Sequence, residues 1–252
     1  MKRNAARADM VQRVARGLLG LLGALVLLVT PALAGDRALI EVIGYSRDSH
    51  YLAFEEFGIQ DGSGFAYSTV YVIDLVEDNW VVGTPIRKLA DKEETSLLEV
   101  RAEAREKAGE TLATLGIDAP VQVLAMAADG APDMDGQSLR FGLPGYGIGD
   151  VMGDYRLTLS TGEVQAMTPC NAWFGARAIG FSLAVADGDA TRLVHQDDTL
   201  PRSRGCPVNY RIYAVLAPWV DDPLPHAVAL ISIYAQGFEG PDRRFLAVPL
   251  GF

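Results

Sequence analysis

The chain has 252 residues, 49% of them apolar, with 26 Gly and 13 Pro spread along it and a formal net charge of −10. This is the composition of a globular protein, and the length allows one sizeable core or two small domains. The acidic balance repels phosphate backbones and anionic lipid, so neither nucleic acid nor a membrane surface is expected as a partner.

Residues 1–34 read as a cleavable secretory signal peptide. Lys2, Arg3, Arg7, Arg13 and Arg16 stand against a single acid, Asp9. A charge-free apolar run over 17–30 follows, and then Pro31-Ala32-Leu33-Ala34, a breaker followed by a small-x-small cleavage site. The run is shorter than the roughly 20 apolar residues of a membrane span. No cysteine lies near the cleavage point, and the arginines are not adjacent as a twin-arginine signal requires. The leader holds five of the 22 basic and one of the 32 acidic residues, so the chain from Gly35 onward carries −14. A periplasmic or secreted location follows, with 35–252 as one β-rich domain.

Short strands open that domain. Residues 38–43 are apolar, 51–56 alternate with Leu52 and Phe54 on one face, and 69–75 (TVYVIDL) are apolar on both faces, hence covered on both. A short strand is expected at 80–83. One helix is expected over 93–115, started by Asp91 and Glu94 as a capping box and stopped by Gly116. Leu97, Val100, Ala104, Ala108, Leu112 and Leu115 recur at three- and four-residue steps and form its apolar stripe. Glu99, Glu103, Glu106, Lys107 and Glu110 form the opposite face, read as solvated. After Pro120 every remaining segment reads as strand: 121–126, 155–159, 163–167, 178–186, 191–195, 208–217, 227–235 and 244–248. Ser160-Thr161-Gly162 and Asp187-Gly188-Asp189 read as tight hairpin turns. Residues 127–152 are rich in Gly, Pro and Asp and read as the longest loop. The expected fold is therefore mainly β (α+β): antiparallel sheets with one long amphipathic helix, closing as a sandwich or in a propeller-like manner.

Two resemblances bear on this. Residues 45–54 with 70–75 (YSRDSHYLAF and VYVIDL) resemble a blade hairpin of the TolB-type β-propeller repeat, with Arg47 in place of its Pro and Ser49 in place of its Gly. More broadly, GDRA at 35–38, FEEFGIQDGSG at 54–64, YRLTL at 155–159 and GFEGPDRRF at 237–245 resemble a family of predicted secreted bacterial proteins of uncharacterised function. That resemblance implies export and a shared fold, and it carries no catalytic residues.

Cys170 and Cys206 are the only cysteines. An even pair in an oxidising compartment is expected to form one disulfide. Glu239, Asp242, Arg243 and Arg244 make the densest charged cluster, read as a salt-bridged hairpin or as a recognition loop whose guanidiniums meet a carboxylate. Glu55, Glu56 and Asp61 are the expected partners of those arginines. Residues 180–184 (GFSLA) are similar to a nucleophile elbow, with Ser182 as nucleophile and His195 or His226 as base, but the alternation runs on to Ala186 into a hairpin and reads Ser182 as an ordinary strand residue. Asp129, Asp133, Asp135 and Gly136 suggest a Ca²⁺ loop, although an EF-hand would require Asp at Ala131 and Glu at Gly142. No cofactor or metal is assigned. The leading functional expectation is an exported, non-enzymatic binding or accessory protein that presents Gly/Asp-rich loops to an envelope protein or small ligand. A secreted serine hydrolase and a Ca²⁺-stabilised structural module are the alternatives.

Overall fold

The computed structural model describes residues 35–127, 135–237 and 239–252. The signal peptide expected over 1–34, and Asp129 and Asp133, lie outside the described residues. No described helix is long and apolar enough to cross a membrane.

The N-terminal sheet is built from β1 (Leu39–Ser46), β2 (Tyr51–Ile59) and β3 (Ala66–Asp74), with β4 (Asn79–Trp80) and β5 (Ile86–Leu89) both paired to β3. After helix α1 (Leu97–Thr114), β6 (Ile117–Ala119) adds to the free side of β1. The period of two in β2 and β3 decides what each face meets. Ala53, Val70 and Val72 turn outward beneath α1, which buries Val100, Ala104 and Ala108 against this side of the sheet. Leu52, Phe54, Tyr67 and Ile73 turn inward to a second core.

The helix begins four residues later than the sequence suggests. Its N-cap is Ser96, whose hydroxyl accepts from the Glu99 amide at 3.3 Å while the Glu99 carboxylate accepts from the Ser96 amide at 2.9 Å. Its charged face is also more than solvated. Glu103 meets Lys88 of β5 at 2.7 Å, and Arg101 and Arg105, one turn apart, both reach Glu55 on β2.

The rest of the chain forms two further four-stranded sheets. Its elements are β7 (Val121–Met126), β8 (Ser138–Pro144), β9 (Val151–Glu163), β10 (Gln165–Ala166), α2 (Cys170–Phe174), β11 (Ile179–Asp187), β12 (Ala190–Gln196) and β13 (Thr199–Leu200). The last three are β14 (Pro207–Pro218), β15 (Val228–Gln236) and β16 (Pro241–Pro249). One sheet runs β16-β15-β14-β7 and the other β12-β11-β9-β8; β10 and β13 pair separately, in parallel. The β16–β7 sheet is the middle layer. Leu216, Val228, Leu230, Phe245 and Ala247 pack on the N-terminal sheet. Alternate residues such as Ile212, Ala229, Ile231 and Val248 pack on Leu157, Phe181, Leu183 and Val185 of the far sheet. Strands covered on both faces are apolar throughout, and VALISIYAQ of β15 is buried at seven successive positions.

The fold is mainly antiparallel β with one long helix, as expected, but its sheets stack in layers. The described strands form no ring of blades, so the propeller-like reading is corrected. The Asp187–Ala190 turn holds, with Gly188 at φ +55°. The turn expected at 160–162 does not exist. β9 continues through it because β11 needs a partner along all nine of its residues, from Ile179 opposite Glu163 to Asp187 opposite Tyr155. The loop expected at 127–152 contains β8, whose Leu139 and Phe141 enter the core.

The cysteines form the expected disulfide, with Cα atoms 5.5 Å apart and a sequence separation of 36. It ties the start of α2 to the residue before β14 and packs with Ala178 and Leu200.

Candidate ligand-binding cleft

β16 is an edge strand, and what lies along its free side defines the site. Alternate amides of an edge strand point away from the sheet and need partners. The Arg243 amide donates to the Asp36 carbonyl at 2.7 Å. The next such amide, Phe245, donates to a carboxylate oxygen of Glu56. Glu56 sits on β2 opposite Thr69 and is 1% exposed; its other oxygen accepts from the Tyr71 hydroxyl at 3.1 Å. Burial pushes the Glu56 carboxyl up to about 7, against the opposing pull of the Phe245 amide, Arg244, Tyr71 and Arg87. The Glu56 carboxyl thus clasps the N-terminal sheet to the middle sheet.

Beyond this clasp the two sheets part, leaving a cleft of about 830 Å³. One wall is the inward face of β3 with its neighbours: Tyr67, Thr69, Tyr71 and Ile73 from β3, Trp80 from β4 and Arg87 from β5. The register places Trp80 beside Ile73 and Arg87 beside Thr69. The other wall is β16 from Arg244 to Ala247, with Ile233 and Ala235 of β15. The Tyr71 ring lies between Phe54 at 4.9 Å and Trp80 at 5.7 Å, so an aromatic row runs into the cleft. Burial also pushes the Tyr67 and Tyr71 hydroxyls up, which keeps both neutral.

The family model described as "Predicted secreted protein (DUF2259)" matches residues 53–250. The chain belongs to this family. The family's description as secreted agrees with the periplasmic or secreted location read from the sequence. No curated protein and no solved structure matches the chain. In this DUF2259 member the matched span contains both walls of the cleft and the Glu56 clasp, whereas Asp36 precedes it.

The charged residues singled out from the sequence are divided among three places. Arg244 donates to Asp36 at 2.7 Å and lies 5.0 Å from the Tyr67 ring centre. Arg243 is buried and donates twice to the Ala38 carbonyl, at 3.1 and 2.8 Å. Asp242 accepts from the Asp36 amide at 2.8 Å, and Glu239 is exposed. The terminal hairpins do pack together, but of the three acids expected to meet the arginines only Glu56 lies in the field of Arg244. Asp61 stays in the β2–β3 turn and bonds to neither arginine. Glu55 faces the opposite side of the sheet, because adjacent residues of a strand point to opposite faces. There Arg101 and Arg105 contact it at 2.9 and 2.7 Å and Ser68 donates at 2.8 Å. Burial opposes the Glu55 charge, but these three partners outweigh it and hold the carboxyl below its usual range.

Of the two readings of Ser182, the strand residue is the one the fold shows, and the elbow is corrected. Ser182 lies inside β11, opposite Ser160 and Gln196, with no turn into a helix. Its neighbours Phe181 and Leu183 point into the core, so Ser182 points away from it. His195 stacks on Phe181 at 4.5 Å and pairs with Asp197 at 3.1 Å, on the core side of the same strands. His226 lies in a separate short turn, where its carbonyl accepts from the Tyr45 hydroxyl at 3.1 Å. Asp135, the described acid of the Ca²⁺ reading, accepts from the Gln137 amide at 2.7 Å. Among the described residues no three metal-ligating side chains converge.

Sequence reasoning missed the cleft residues Tyr71, Trp80 and Arg87. Tyr71 had a signal in the alternation of β3, where Thr69, Tyr71 and Ile73 share one face and Val70 and Val72 the other; Arg87 had none. Nothing in the sequence said that the partner sheet would diverge there.

Proposed function

We propose that this secreted protein is a non-enzymatic binding protein whose ligand site is the cleft between β3–β5 and β16. The observation that carries the reading is the cleft itself, which is of the size of small-molecule sites, aromatic on one wall and bordered by charged and polar side chains such as Arg87, Asp78 and Arg204. Glu56 titrates where a general acid or base would, but it is 1% exposed and both its oxygens accept hydrogen bonds within the fold, from Phe245 and Tyr71. It is a clasp rather than a reacting group. This reading moves the binding surface from the Gly/Asp-rich loops to the parted sheet faces.

The test uses anilinonaphthalene sulfonate, an aromatic anion whose emission rises in apolar sites. The folded protein is expected to bind one dye per chain. Trp80→Ala should weaken binding at least fivefold, while Trp173→Ala, at an exposed position on α2, leaves it unchanged. Equal affinity in all three proteins would place the dye elsewhere and remove the support for the cleft.

A further inference from the structure

We infer that the cleft takes an elongated amphipathic carboxylate, its apolar body along Tyr71 and Trp80 and its head on the Arg87 guanidinium. This deepens the binding reading above and rests on it.

The cations of the cleft differ in what they already bind. Four basic residues line it: Arg87, Lys88, Arg204 and Arg244. Lys88 points to the helix side of β5, where it meets Glu103 at 2.7 Å and Asp91 at 3.6 Å. Arg204 pairs with Asp197 at 3.3 Å. Arg244 is committed to Asp36 at 2.7 Å and to the Arg243 carbonyl at 2.7 Å. Arg87 is exposed and has no hydrogen bond or ion pair among the described residues; it acts on Glu56 through space alone. In a chain that carries −14 beyond the leader, an arginine facing a cleft without an acid bonded to it is a charge held for something from outside. Its planar fork suits a carboxylate, which it can bind through two parallel hydrogen bonds.

The strand register then fixes the length and polarity of the ligand. Arg87 lies beside Thr69 and Trp80 beside Ile73. Those positions are four residues apart on β3, about 13 Å. Between them on the same face stands Tyr71, with Phe245 and Ala247 of β16 across the cleft. The lining therefore passes from the Arg87 cation through Tyr71 to Trp80, where Asp78 and Asn79 border the rim and a second anion would be repelled. A chain-like apolar body with one terminal anion matches that arrangement, whereas a polyanion finds in the lining one cation without a bonded acid, and the acids Glu56 and Asp78. A cationic amphiphile meets the unpaired Arg87 at the site of its head.

Three probes of equal chain length separate the possibilities: decanoate, decyltrimethylammonium and 1-decanol, each titrated calorimetrically against the protein spanning 35–252. Decanoate is expected to bind at least tenfold more tightly than either twin. Arg87→Ala should abolish that preference, Arg87→Lys should retain part of it, and both variants should melt with the unaltered protein because the side chain is exposed and makes no bond to the fold. Equal binding of decanoate and decanol, both weakened by Trp80→Ala, would overturn the carboxylate assignment and leave the cleft as a site for neutral ligands. Failure of all three probes together with the aromatic dye would overturn the cleft reading itself.

Discussion

Removing the Cys170–Cys206 bridge, by Cys170→Ala with Cys206→Ala, should lower the stability of the folded domain by about 4 kcal/mol. The estimate is the loop-closure entropy returned to the unfolded chain when a link across 36 residues is lost. Both cysteines are buried, beside Ala178 and Leu200 in a small cluster apart from the two main cores, so the alanines leave a small void and no unsatisfied charge. The bridge holds the segment from α2 to β13, whose only strand pairing of its own outside the far sheet is the two-residue β10–β13 ladder. A domain of this size loses about 2–4 °C per kcal/mol, so melting should fall by roughly 10 °C. Calorimetry of the oxidised, reduced and doubly substituted proteins checks it. Equal melting temperatures for all three would show that the link contributes nothing.

The second large effect concerns Glu56 and pH. Its carboxyl titrates at about 7 in the fold and at 4.5 as an ordinary glutamate, so the folded state holds the proton more tightly. The sign follows from linkage: the stabilisation is fully present below pH 4.5 and is lost as pH rises through 7. A rise of that size corresponds to about 3 kcal/mol. Glu56→Gln keeps an oxygen for the Phe245 amide and an amide group for Tyr71, and it never ionises. The variant should match the unaltered protein near pH 4.5, exceed it by about 3 kcal/mol at pH 8, and lack the decline between them. Denaturant titrations across that range measure the difference. Parallel curves for the two proteins would mean that Glu56 is ionised in the fold at neutral pH.

How far the sequence carried these conclusions depends on the range of each interaction. The strands of the second half, the stripe of α1 and the disulfide were readable, since alternation, helical spacing and a single cysteine pair are local or combinatorial signals. The run of β9 through 160–162 was not, because Ser-Thr-Gly is turn chemistry until a nine-residue partner such as β11 holds it extended. The start of α1 was displaced from Asp91 to Ser96, whose capping box with Glu99 stands where Leu97 and Val100 pack on Ala66 and Ala90. The site was half legible. Glu56 and Arg244 stood out as charges, but the assignment of Glu55 to one face and Glu56 to the other depends on strand parity, and the pairing of Arg244 with Asp36 depends on contact across 208 residues. Arg87 carried no sequence signal at all. Its significance is that its neighbours are paired and it is not.

The central claim, that the parted faces of β3–β5 and β16 hold a small amphipathic anion, is tested most directly by amide chemical-shift mapping of the labelled protein with decanoate. The expected result is a saturable set of shifts confined to residues 69–73, 79–80, 87–89 and 244–247, with the far sheet of β8, β9, β11 and β12 unmoved. Shifts centred on another surface, such as the exposed Tyr146 and Ile148 at the β8–β9 tip, would contradict it.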